Sequence, residues 1–327
     1  MVQGGWLDAQ NNGMRMNEMP AGQGFAAGTM VATASGRRNV ELLDIGDEVL
    51  DATGTPRRVR WTGRIVLTAA HLTAQPEARP IRVRAGALGE GMPRRDLVVA
   101  PLTELAVVLP TRALVTLSAR LLMNDHTILR DSGTDRLELF EVELDGDAGL
   151  IAEDLPAGFA LPNHATPDQR TAAVRARKLV NARGGCLPGP LLGRVDCAER
   201  GLLYGWAIDE ARPLMRVALE ILVNGRVFTG AMASLRRNDL VRAGIADGAC
   251  GFHIEPNPPL PADRTLLVQV RRADDGLDLP GSPVLLDKAG GPAQLLEALK
   301  PASPAQTAAM RDVLRAGLDT LQAPPAG

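Results

Sequence analysis

Val40-Glu41-Leu42-Leu43-Asp44-Ile45-Gly46-Asp47-Glu48-Val49-Leu50-Asp51, followed closely by Thr53-Gly54-Thr55-Pro56, is the stretch on which the fold of this chain turns. Glu41 to Ile45 is a short segment, Gly46-Asp47 is a turn, Glu48 to Asp51 is a strand, and Thr53 to Pro56 is a second turn. Arg57 to Leu67 then reads as a long strand. Val59, Trp61 and Ile65 share one parity in it, so one of its faces is apolar. Upstream, Met30 to Ala34 is a strand closed by Ser35-Gly36. Downstream, Ile81 to Arg84, Leu97 to Ala100, Leu105 to Leu109, Ala113 to Thr116 and Leu137 to Leu144 continue the series. In the last of these Phe140, Val142 and Leu144 face one way, and Leu139, Glu141 and Glu143 the other. Many short strands between tight turns predict a mostly β fold.

A helix follows. Thr166-Pro167-Asp168-Gln169 is a capping box, with threonine as N-cap, proline at the first helical position and glutamine at the third. The helix should run to about Ala182. Arg175, Arg177, Lys178 and Arg183 crowd its C-terminal end, where cations suit the helix dipole, and Gly184-Gly185 stops it. A second β-rich block spans Leu191 to about Leu286. Its clearest element is Val217 to Val223, Asn224-Gly225, Arg226 to Gly230, which has the strongest short hairpin signature. Pro292 to Lys300 reads as a short helix. Ser303-Pro304-Ala305-Gln306 is a second capping box, opening a helix to about Leu321. Ala308, Met310, Val313, Leu314 and Leu318 form one stripe of it, which has to cover a domain or a partner. The expected organisation is a disordered leader over 1–23, a β domain over 24–164, a helix and linker over 165–190, a β-sandwich over 191–287 and a helical tail over 288–327.

The chain has 327 residues, 34 of them glycine and 24 proline, and a net charge of −2. That charge argues against a nucleic-acid binder held by bulk electrostatics. The stretch Leu97 to Ala119 is the most apolar, but Glu104, Arg112, Pro101 and Pro110 interrupt it, so no membrane span is expected. The N-terminus does not have the pattern of a classical signal peptide. The expected location is therefore cytoplasmic, or outside the cell by another export route. His71, His126, His164 and His253 are dispersed and the three cysteines, Cys186, Cys197 and Cys250, lack Cys-x-x-Cys spacing, so neither metal nor cofactor is expected. A Cys186–Cys197 bridge is open in an oxidising compartment. Glu138, Glu141, Glu143, Asp145 and Asp147 form an acidic run. Arg79, Arg82, Arg84, Arg94 and Arg95 form a basic cluster able to pair with that run or to hold an anion.

Gly24-Phe25-Ala26-Ala27-Gly28-Thr29, Val40-Glu41-x-Leu43-x-x-Gly46-Asp47-x-Val49-Leu50, Val59-Arg60-Trp61-x-Gly63, Pro80 to Leu88, Pro93-Arg94-Arg95-Asp96-Leu97, Ala119-Arg120-Leu121-Leu122 and Ile151-Ala152-Glu153-x-Leu155-Pro156 occur in one order. Together they resemble the Hint domain, the Hedgehog/intein autoprocessing fold, in its bacterial version, over about Gly24 to Pro162. The resemblance implies self-cleavage or splicing. A first-position nucleophile, usually Cys, attacks the preceding carbonyl, and a His in a Thr-x-x-His block helps release the amide nitrogen. Here the first position is Gly24, the block reads Ala100-Pro101-Leu102-Thr103, and two later family histidine positions hold Glu141 and Asp147. The implied active site is degenerate, with no catalytic residue expected. Thr29 and Ser35 are the nearest alternative hydroxyls in sequence. Asn163-His164 reverses the His-Asn ending of inteins.

Gly193-Arg194-Val195-Asp196, Leu203-Tyr204-Gly205-Trp206-Ala207-x-Asp209, Arg237-x-Asp239-Leu240 and Gly248-x-x-Gly251-Phe252 are similar to a β-sandwich module attached to bacterial glycosyltransferases. That resemblance makes Tyr204, Trp206 and Asp209 candidate ligand-binding residues. Read as ordinary residues, Trp206 belongs to a core and Asp209 fixes a turn. The expected function is a non-cleaving Hint protein that binds or scaffolds a protein or glycan partner, with a link to cell-surface glycans. The competing expectation is autoprocessing near Gln23–Gly24.

Overall fold

A computed structural model of the chain describes residues 7–8, 22–133, 136–146, 148–159 and 166–288. Asp147, Asn163, His164, the two predicted tail helices and most of the leader lie outside the described residues.

The first block is built from β1 (Leu7–Asp8), β2 (Phe25–Ala26), β3 (Met30–Thr33), β4 (Gly36–Asn39), β5 (Glu48–Leu50), β6 (Pro56–Thr68), β7 (Ile81–Val83), β8 (Leu97–Val99), β9 (Glu104–Val108), β10 (Leu114–Ser118), β11 (Ile128–Arg130), β12 (Arg136–Leu144), β13 (Leu150–Ala152) and β14 (Leu155–Ala157). Two short helices, α1 (Ala69–Ala74) and α2 (Ala119–Leu122), interrupt them. The strands form one curled sheet in the order β10-β9-β14-β13-β3-β5-β6-β12-β2-β8-β7-β11, with β4 on β3 and β1 on β6. β6 spans 13 residues and holds the sheet together. Its start pairs with β5 (Glu48↔Arg58) and the rest with β12 (Val59↔Leu144 to Thr68↔Arg136). A bulge between Glu143 and Leu144 bends the pair. Leu7–Asp8 pair in parallel with Gly63–Arg64, so this piece of the leader is a strand where the sequence predicts disorder.

The opening stretch works as its residues dictate. Gly46 sits at φ +95, where a side chain would be strained. Its N–H donates to Val59 O and the Val59 N–H donates to Asp47 O, which zips the turn onto β6. The Asp47 carboxylate accepts from the Asp44 N–H and from Arg38. Asp51 accepts from Thr53, Thr55 and Arg57, and these bonds, Thr53 first, hold its carboxyl well below the usual range. Glu41 to Ile45, read from sequence as a segment without type, begins inside a 3-10 turn over Val40–Leu42.

The apolar parity of β6 is real but does not serve a single core. Val59 belongs to the main cluster with Phe25, Val49, Val142 and Leu144, whereas Ile65 packs on a second cluster with Ala26, Ala100 and Leu139. The Trp61 ring lies over Gly63, where a Cβ would stand 2.2 Å from it.

α3 (Pro167–Arg183) begins at the predicted capping box. Thr166 Oγ1 accepts from the Gln169 N–H, and Gln169 returns a bond to the Thr166 N–H. Gly185 at φ +66 ends it. The second block contains β15 (Leu191–Ala198), β16 (Leu203–Asp209), β17 (Val217–Val223), β18 (Arg226–Ala233), β19 (Leu235–Arg236), α4 (Asn238–Arg242), β20 (Ala249–Ile254), β21 (Leu266–Arg272) and β22 (Val284–Leu286). Two four-stranded sheets, β15-β16-β20-β19 and β18-β17-β21-β22, enclose a shared core that includes Leu203, Ala207, Leu219, Ile221, Phe252 and Val268. The Asn224-Gly225 hairpin has both residues at positive φ, +50 and +76, as its turn type demands.

α3 is read from sequence as part of a connecting segment, yet it packs against both blocks. Ala176 and Val180 enter the core of the first, and Val174 packs with Ala218 and Ala273 of the second. Gly230 of β18 lies so close to the helix that a Cβ there would meet Arg170 O at 2.7 Å. Arg177, one of the basic residues near the C-terminal end, has no exposed surface. It donates through Nη2 to Met123 O (2.5 Å) and through Nη1 to Asn181 Oδ1. Asn181 in turn donates to the Asp274 carboxylate at 3.1 Å. Burial lowers the Arg177 pKa to about 10, against the pull of Asp274.

Candidate functional site

β2, the loop after β8 and β12 bring together four of the five positions marked in the sequence, Gly24, Ala100, Thr103 and Glu141. Gly24 precedes β2. Its N–H donates to Thr103 Oγ1 (2.9 Å), and the same hydroxyl donates to Gly24 O (3.0 Å). The Ala100 N–H also donates to Gly24 O (2.9 Å). Thr103 is wholly buried, so one hydroxyl clamps the amide and the carbonyl of the same residue across 79 positions of sequence. On the other side β12 passes close. A Cβ built on Gly24 would stand 3.1 Å from Phe140 O, and Gly24 itself sits at φ +139. A side chain there is both strained and crowded. Asp147 lies outside the described residues.

Gly24 forms part of a cleft of about 180 Å³ with Gln23, Arg60, Glu141, Glu143 and Phe159. Burial, with a smaller push from Glu143, raises the Glu141 pKa above the ordinary carboxylate value. Glu143 pairs with Arg60 at 2.7 Å.

The chemistry open to this arrangement is limited. Thr103 occupies the fourth position of the Ala100-to-Thr103 block. Its hydroxyl accepts the Gly24 N–H hydrogen bond and gives its own proton to Gly24 O, so it is engaged as a clamp. An alcohol is also far too weak an acid to serve as a general acid near neutral pH. Thr29 is buried, with its hydroxyl donated to Ala26 O (2.7 Å), and the Ser35 hydroxyl lies 3.2 Å from Thr33 Oγ1. The hydroxyl that meets Gly24 is that of Thr103, which the sequence by itself marks only as the place of a missing family histidine. Its place in the four-residue block was the signal that could have found it.

Each charged cluster finds its ion-pair partners elsewhere. Glu138 pairs with Arg64 and Arg136, and Glu143 with Arg60, so the acidic run is balanced mainly across the β6–β12 ladder. The basic cluster finds other acids: Arg82 pairs with Asp131 and Asp96, Arg94 with Asp154, and Arg95 with Glu153. Buried Glu153 also accepts from the Met30 N–H, and with Asp154 it forms the positive-φ turn between β13 and β14.

In the second block Tyr204 and Trp206 share the outer face of β16, half-buried. Tyr204 stacks on His253 at 6.4 Å between centroids. Trp206 packs beside Ile208, Leu240 and Cys250 next to α4, in an apolar cluster separate from the main sandwich core. Asp209 is buried, and its carboxylate accepts from the Gly189 and Ala211 N–H groups and from Arg212. Cys186, Cys197 and Cys250 are all free thiols. Among the described residues no group of three or more His, Cys, Asp or Glu is arranged to hold a metal ion, and no helix is long and apolar enough to cross a membrane.

Glu104 is the acid most perturbed by burial. Removal from water, partly offset by Thr116 and Arg120, pushes it up from 4.5 to about 7. A value raised by folding contributes stability that is complete below the unfolded pKa and lost as pH rises through the folded one. Stability should therefore fall between pH 5 and pH 8 by about 2–3 kcal/mol, at ~1.4 kcal/mol per pKa unit. Urea titrations at each pH should show Glu104→Gln flattening that slope; an unchanged slope would assign it to another group.

Comparison with known proteins gives a family match for this block: residues 23–164 match the Hint domain. Among solved structures, the gp41-1 intein is 14% identical, with 42% of this chain and 99% of that one covered and a TM-score of 0.29. A bacterial intein-like domain from Clostridium thermocellum is 15% identical, with 42% and 98% covered and a TM-score of 0.28. No curated protein matches the chain.

Proposed function

We propose that this Hint domain does not cleave its own chain, and that the protein serves as a non-catalytic scaffold that binds a partner. The carrying observation is Gly24. It supplies no nucleophile, its amide is clamped by Thr103 rather than by a titratable side chain, and β12 leaves little room for a Cβ. An acyl shift needs a thiol or hydroxyl there and a group to protonate the departing nitrogen. For the partner, a protein is favoured over a glycan. Asp209, one of the three candidate glycan-binding residues, is consumed by internal bonds, which leaves Tyr204 and Trp206 as a small aromatic surface.

The test is the intact mass of the freshly purified full chain, before and after dithiothreitol or hydroxylamine, which intercept a thioester or ester. The mass should not change. A nucleophile-dependent fragment beginning at Gly24 would establish autoprocessing at Gln23–Gly24 instead. Gly24→Cys should also stay intact, because Thr103 remains in the proton-donor position. Strain at positive φ should cost it about 1–3 kcal/mol of stability.

A further inference from the structure

Between the two β blocks, alongside α3, runs a groove of about 640 Å³ whose lining is mainly apolar. Leu114, Val115 and Leu121 come from the first block, Ala173 from the helix, and Met232 and Leu235 from the second. Leu114 is 45% exposed and Leu235 49%. Two large aliphatic side chains, one from each block, are thus left half in water along one mainly apolar groove, the kind of surface that interaction sites use.

The sequence holds a segment that needs such a surface. Ser303–Leu321, outside the described residues, opens with a capping box and places Met310, Val313, Leu314 and Leu318 at i, i+3, i+4 and i+8. Its charges are Arg311, Asp312, Arg315 and Asp319, which cancel. A helix that seeks an anionic membrane carries a cationic polar face; a neutral one suits a protein groove. The chain can reach. Residues 289–302 separate Lys288, just past β22, from the cap at Ser303, and extended chain spans about 45 Å over that length. β22 and β18, which carries Met232, are the two edges of one four-stranded sheet, about 14 Å apart. Tethering gives such a segment an effective concentration of about 1 mM, so a docking constant of only about 0.1 mM would keep the groove roughly ten-to-one occupied.

We propose that residues 303–321 dock as a helix in the interblock groove of their own chain, with Met310, Val313, Leu314 and Leu318 against the Leu114 and Leu235 walls. The docked tail would join both β blocks across the face beside α3 and would be displaced by any partner that uses this groove.

The test keeps the full chain and puts the photo-crosslinker p-benzoylphenylalanine in place of Leu314. Peptide mapping should find links within one chain to 113–121 and 231–235, with a yield unaffected by dilution. Leu235→Arg, or Leu114→Glu if the first variant misfolds, should reduce that yield about tenfold. Links between chains that fade on dilution would make a second copy the occupant and overturn the proposal. Links elsewhere on the surface, no links at all, or a yield indifferent to the groove variants would also overturn it. None of these results bears on whether Gln23–Gly24 is cleaved, so the two proposals stand or fall separately.

Discussion

Arg177→Met should destabilise the protein by about 3–5 kcal/mol, the range for breaking a buried charged network by removing one member. Arg177 has no exposed surface, reaches the Met123 carbonyl of the first block, and holds Asn181, which binds Asp274 of the second. Methionine keeps most of the volume but leaves the Met123 carbonyl and the Asn181 oxygen without this donor inside the protein. Each such loss costs about 1–3 kcal/mol. A second consequence follows from position. Since α3 is packed into both blocks, loss of its central bond should loosen their coupling. Urea unfolding followed by tryptophan fluorescence should change from one transition toward two, Trp61 reporting the first block and Trp206 the second. A midpoint and slope like the parent's would show that α3 is held by its alanine and valine contacts alone.

Gly205→Ala should cost about 3 kcal/mol, at the upper end of ordinary overpacking. Gly205 lies in β16 with its missing side chain turned toward the sandwich core. A Cβ there would stand 2.3 Å from Arg194 O on β15 and 2.8 Å from the Phe252 ring. The ring can move, but the strand backbone cannot without breaking the β15–β16 ladder, which already shifts register between Val195 and Cys197. The combination with Phe252→Leu should therefore recover only part of the loss. Thermal denaturation of the single and double variants checks this. A Gly205→Ala protein within about 0.5 kcal/mol of the parent, the scale of a neutral surface change, would mean that β15 yields easily.

The two variants probe different kinds of information. Gly205 is visible in sequence as a glycine between Tyr204 and Trp206, but nothing local says that Arg194 O passes over it. Arg177 sits among Arg175, Lys178 and Arg183 in a helix whose buried face is Val174, Ala176 and Val180. With so little large apolar surface to mark the face, one of these four basic residues going inside leaves no periodic trace. Thr103 is a different case: its place in the Ala100-to-Thr103 block marks the position, but nothing local marks what its hydroxyl holds. Its partner, Gly24, is 79 residues away, and only the curl of the sheet brings β2 against the loop after β8.

What the amino-acid order alone determined is whatever a few neighbouring residues can enforce. The Gly46-Asp47 and Asp51–Thr55 turns, the Asn224-Gly225 hairpin and the Thr166–Gln169 capping box rest on backbone angles and hydrogen bonds of nearby residues, and the β12 alternation rests on the two-residue period of an extended strand. The absence of a nucleophile at Gly24 is likewise a fact of sequence. Tertiary structure alone decided that one parity of β6 serves two cores, that Glu138 and Glu143 pair with Arg64 and Arg60 of β6 rather than with the Arg79–Arg95 cluster, and that α3 is a shared core element. It also decided that an apolar groove is left beside that helix. These outcomes depend on which distant surfaces meet, and strand pairing and burial between distant segments are set by global packing, which no local window of sequence contains.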